Sequence, residues 1–158
     1  GYRRPAVAQA SMLGGAPRVA SAATMDPALA SRRFGWWSLL VWLGLGLVLE
    51  AMHGFKVGWY LGVGNDGRRL QLTLAHVHGT LLALVNLAFA ANARPTESTL
   101  PALRSASWLL RWAAVLMPVG FLFGGVFQMG ADPGFAIVLV PVGGVMLLAG
   151  VFRTARSN

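Results

Sequence analysis

Residues 34–56 read FGWWSLLVWLGLGLVLEAMHGFK, and no charge interrupts them before Glu50. At about 1.5 Å per residue, a helix over this stretch is long enough for the roughly 30 Å of hydrocarbon in a bilayer. Three further stretches lack Asp, Glu, Lys and Arg over comparable lengths: Leu70 to Ala93, Trp112 to Ala131 and Pro133 to Phe152. Of the 158 residues, 56% are hydrophobic and only 11% charged, too little charge to solvate a globule of this size. The fold class is therefore all-α, a four-transmembrane-helix bundle forming one domain over residues 34–155.

The first helix is bracketed by Trp36-Trp37 and Trp59-Tyr60, rings that favour the headgroup level. Gly64-Asn65-Asp66-Gly67 marks a turn, and Asn92 to Ser105, with Pro95 and Pro101, marks a second loop. In the third connection, Asp132-Pro133 reads as a helix N-cap followed by Pro at the first helical position. Gly120 and Gly124 give a small-xxx-small spacing, and Gly143, Gly144 and Gly150 punctuate the last helix; residues of this size let helices approach closely in lipid. Pro118 and Pro141 predict kinks. Residues 1–33, rich in Ala, Ser, Pro and Arg, are expected to be disordered, and Met25-Asp26-Pro27 resembles a natural start.

The net charge of +8 would suggest nucleic acid in a soluble protein, but here Arg sits at the ends of apolar runs, where it meets lipid headgroups. Arg3, Arg4, Arg18, Arg32, Arg33, Arg94, Arg104, Arg111, Arg153 and Arg156 fall on one side, against Lys56, Arg68 and Arg69 on the other. The positive-inside rule then puts both termini in the cytoplasm, and the setting expected is a bacterial inner membrane. The absence of Cys excludes disulfides, thiolate metal sites and Cys nucleophiles. No Gly-x-Ser-x-Gly, Gly-Lys-Ser/Thr or strand-linked Gly-x-Gly-x-x-Gly occurs, so the chain is not expected to be an enzyme by itself.

Function rests on four groups inside the apolar runs: Glu50, His53, His76 and His78. Counted from the Trp59-Tyr60 belt, Glu50 lies roughly 14 Å deep and His53 roughly 9 Å; counted from Arg69, His76 lies roughly 10 Å deep and His78 roughly 13 Å. All four are thus expected at one level of the outer leaflet. Glu50 and His53 share a helix face, in a Glu-x-x-His spacing that four-helix bundles use to present a carboxylate and an imidazole to a metal. His76 shares its face with Thr73 and Thr80, whereas His78 lies about 200° around the helix. His76 is the expected partner of Glu50, with His78 facing another helix or subunit, and Gln128 is a possible additional partner. A carboxylate unpaired in hydrocarbon costs several kcal/mol, so Glu50 needs a proton or a partner.

The run Leu74-Ala75-His76-Val77-His78-Gly79-Thr80-Leu81-Leu82 resembles the His-x-His membrane segments of small proteins related to the catalytic subunit of haem-copper oxidases. The resemblance covers about ten residues of one helix and implies that His76 or His78 is an axial haem or copper ligand. A complete oxygen-reducing centre cannot be assembled from three histidines. Three readings follow. The first is a haem- or metal-binding protein (copper or iron) serving electron transport or respiratory assembly, with His76 and His78 binding the cofactor and Glu50 and His53 adding metal ligands. The second is a structural or interaction subunit in which Glu50 and the histidines only knit helices together. The third is a small proton-coupled transporter subunit. The expected partners are the lipid bilayer and a homo-oligomer or larger membrane complex, with no nucleic acid.

Overall fold

The computed structural model describes residues 26–130 and 132–157; the expectation for residues 1–25 lies outside them. The chain forms α1 (Pro27–Gly54), a one-turn α2 (Gly58–Leu61), α3 (Asp66–Asn92), α4 (Leu100–Val126), a 3-10 turn (Phe135–Val138) and α5 (Leu139–Ser157). The protein is all-α, with four helices long and apolar enough to cross a membrane. Side chains such as Leu47, Val145 and Leu148 are 74%, 68% and 73% exposed, an outward apolar surface that suits lipid and not water.

Glycines meet large side chains at each helix contact and reveal the register. On α1 and α3, Gly35 abuts Leu87, Gly79 abuts the Trp42 indole and Gly46 abuts the His76 ring. On α3 and α4, Gly125 abuts Leu72, and Phe89 packs with Leu103, Ala106 and Leu110. On α4 and α5, Gly120 abuts Val140, Gly143 abuts Met117 and Gly150 abuts Leu110. Each pairing runs antiparallel, so the helices go up, down, up and down in chain order, with α3 and α4 in the middle of the row. The expected role of Gly120, Gly143 and Gly150 in close packing holds, whereas Gly144 faces open space. α1 also touches α4 through buried hydroxyls, with Ser31 Oγ and Ser107 Oγ 2.8 Å apart.

Element boundaries differ from the sequence expectation where a cap or a proline decides. α1 begins at Pro27, not Phe34, because the Asp26 carboxylate accepts the Ala28 N–H at 2.9 Å and Pro27 occupies the first helical position. Leu100 to Ser105, expected in a loop, are helical; Pro101 sits in the first turn of α4, where its missing N–H costs nothing. Asp132 caps no helix. Its backbone pairs with that of Met129 across a turn in which Gly130 takes a φ of 62°, and Gly134 N–H bonds Gly124 O at 2.8 Å to start the 3-10 turn. Pro118 lies inside α4, while Pro141 falls in the first turn of α5 and removes no helical bond there.

Asn86 is fully buried between α3 and α4, where its amide donates to Leu82 O at 2.9 Å and to Leu110 O at 3.3 Å. Interhelical hydrogen bonds in membrane proteins contribute about 0.6 kcal/mol on average and up to about 1.7. Asn86→Ala, which also leaves a small cavity, is expected to cost about 1–2 kcal/mol, measured by reversible unfolding in mixed micelles.

Candidate functional site

Glu50, His53, Thr73 and His76 line one groove between α1 and α3, together with Gly46 and Tyr60. Its volume is about 450 Å³, within the range of roughly 300–1,000 Å³ seen for small-molecule sites. The groove opens sideways. Glu50 and His53 are exposed, and His76 is partly buried.

His76 is the most constrained of these groups. Its ring occupies the space that a side chain at Gly46 would fill, and its Nδ1 is 2.8 Å from the Trp42 carbonyl. A carbonyl only accepts, so Nδ1 carries the proton, and Nε2 of the neutral ring keeps its lone pair. A backbone carbonyl holding one imidazole nitrogen is the usual means of orienting the other towards an electrophile. Gly46 and Trp42 carry no sequence signal of their own for this role. They become legible only once the register pairs them with His76 and Gly79.

The four groups do not share one level. Glu50 lies about one turn above the end of α1 at Gly54, roughly 6 Å along the axis, while His76 contacts Gly46 and Trp42 one to two turns deeper. The same register puts Glu50 level with Leu72 and Thr73. The sequence count treated Trp59-Tyr60 as the end of the first helix. Instead α1 stops at Gly54, Lys56 takes a φ of 53°, and Tyr60 folds back in α2 to pack, buried, with Leu49 and Leu72. Glu50 is therefore shallower than its sequence separation from Tyr60 implies.

His78 faces away from the groove. Its Nδ1 is 2.9 Å from Leu74 O, and its ring packs on Phe121 of α4 in a tilted arrangement with centroids 4.8 Å apart. Thr80 Oγ1 is buried and makes no hydrogen bond. Gln128 is not in the groove: its amide lies over Gly67 and donates to Gly130 O at 2.7 Å. Among the described residues, Glu50 makes no hydrogen bond to either groove histidine, and no group of three or more His, Asp or Glu side chains gathers to hold a metal ion. A metal cage built from Glu50, His53, His76 and His78 together is thus not what the backbone assembles. Among the described residues the groove is lined by one deep imidazole, with a carboxylate and a second imidazole at its mouth.

Arg68, read from sequence only as a charge on the outer side, fastens the end of the site nearest α2. It donates to Trp59 O at 3.0 Å, to Asn65 Oδ1 at 3.1 Å and to Gly125 O at 3.3 Å, and its guanidinium lies 4.6 Å from the Trp59 ring centroid. These contacts tie α2, the start of α3 and the end of α4, and so hold Tyr60 beneath the groove. Against this geometry, comparison with protein-family models, curated proteins and solved structures gives no match.

Proposed function

We propose that the chain is a membrane-embedded cofactor-binding subunit, serving electron transport or the assembly of a respiratory enzyme, in which His76 Nε2 is the ligand atom in the outer half of the bilayer. The observation that carries this reading is the fixed tautomer of His76, a residue lining the groove: Nδ1–H is committed to Trp42 O, and Nε2 makes no hydrogen bond among the described residues. Haem fits the donor set better than a caged ion, because a haem iron needs one imidazole per face whereas a caged ion needs three or four protein ligands. When bound, such a group supplies one-electron redox chemistry. The protein's part is to hold the imidazole at a set depth, exclude water with Leu43, Leu47 and Leu49, and present Glu50 and His53 at the rim. A polar rim exposed towards lipid favours cover by a second copy or a larger complex. Purification in mild detergent, an absorption spectrum and elemental analysis test the reading. A stoichiometric chromophore or redox metal supports it, and a colourless, metal-free protein removes it in favour of a register-fixing or solute-conducting role.

The orientation belongs to the same proposal. Arg32, Arg33, Arg94, Arg104, Arg111, Arg153 and Arg156 stand at the helix ends opposite Lys56, Arg68 and Arg69, which favours a cytoplasmic location for both ends of the described chain, in a bacterial inner membrane. The background lacks Cys, so single cysteines report cleanly. An impermeant thiol reagent added outside is expected to label Val63→Cys, at a fully exposed position, and to spare Glu97→Cys in the α3–α4 loop. The reverse pattern would put the groove in the inner leaflet.

A further inference from the structure

At the opposite end of the molecule, α4 and α5 part to leave a cleft of about 580 Å³ lined by Ala102, Ala149, Phe152, Arg153, Arg156 and Ser157. Its composition is divided along the membrane normal. Ala149 and Phe152 end the apolar run of α5, and Arg153 follows at once, so the guanidinium groups stand where hydrocarbon gives way to headgroups. Arg153 is held in place by a 2.8 Å bond from Nη1 to Ser105 Oγ, which leaves its other N–H donors for a ligand. Arg156 lies with its guanidinium 5.6 Å from the Phe152 ring centroid, a contact that occupies the face of the fork and not its donor edge. Among the described residues no carboxylate pairs with either arginine; the one ion pair is Arg69 with Asp66, at the other end.

From this arrangement we infer that the α4–α5 cleft binds a phospholipid, with the phosphate held by Arg153 and Arg156 and an acyl chain lying on Phe152 and Ala149. Guanidinium forks match phosphate oxygens in pairs, and basic pockets between membrane helices take anionic headgroups. The apolar floor distinguishes this ligand from a free anion, which would gain nothing from Phe152 and Ala149. The site is independent of the groove at His76, which lies at the other end of the helices.

The test uses the full chain in detergent, stripped of lipid, with native mass spectrometry reading the bound species. Phosphatidylglycerol, phosphatidylcholine and inorganic phosphate are added in separate arms. One phosphatidylglycerol is expected to bind ahead of phosphatidylcholine, and Arg153→Gln with Arg156→Gln is expected to weaken it about twenty-five-fold, roughly fivefold for each arginine. Arg32→Gln with Arg33→Gln removes the same charge from the start of α1 and is expected to change binding less than about twofold. Equal loss in the two double variants would reduce the effect to diffuse charge and overturn the site. Phosphatidylcholine bound as well as phosphatidylglycerol would overturn it too, as would inorganic phosphate filling the cleft with the affinity of the lipid. If the Arg153→Gln, Arg156→Gln chain does not fold, Arg156→Gln alone serves, because its side chain makes no hydrogen bond among the described residues, and the fivefold loss is still required.

Discussion

On the proposed function, His76→Ala is expected to lower cofactor retention by at least about a hundredfold, since it removes the deepest imidazole among the described residues lining the groove, and supporting groups alone are worth 10–100-fold at such sites. His78→Ala is expected to leave retention within a few-fold of the parent, because that ring is packed on Phe121 and bonded to Leu74 O. Retained absorbance after detergent purification and gel filtration measures both. The pair also separates ligation from packing. If the His76–Trp42 bond serves only to fix helix register, His76→Ala should lose stability while the parent itself carries no chromophore.

Gly79→Val is the second large effect. Gly79 is buried with the Trp42 indole lying where a Cβ would project, so any side chain there must push α1 from α3. A loss of about 3 kcal/mol is expected, at the upper end for overpacked cores, from unfolding of the parent and variant in the same micelles. Separation of α1 from α3 also breaks the His76 bond to Trp42 O, so cofactor retention should fall with stability. Trp42→Leu in the Gly79→Val background should recover part of the stability. Additive losses in the double variant would mean that the two residues do not meet.

The four spans were legible because charge is absent from long runs, a signal the bilayer imposes directly. The ends of those spans were not. Helices α1 and α4 extend past their apolar cores through Arg32, Arg33, Arg104 and Arg111, because a capped helix does not stop where hydrocarbon stops. That His76 and His78 face different helices followed from about 100° of rotation per residue, and so could be read from spacing alone. Depth could not be read that way. A single reversal at Phe55–Val57 and the one-turn α2 shift Glu50 by about one turn relative to His76, and no composition signal marks that reversal. The buried polar bonds of Ser31 with Ser107 and of Asn86 with Leu110 O were equally silent, since each residue alone reads as a tolerated polar group in an apolar run.

The most direct test of ligation through His76 is pulsed electron paramagnetic resonance on the oxidised, purified protein grown with ¹⁵N-histidine. The account predicts a paramagnetic centre coupled to a histidine nitrogen, with that coupling lost in His76→Ala and kept in His78→Ala; a centre with no coupled histidine, or a coupling that survives His76→Ala, would contradict it.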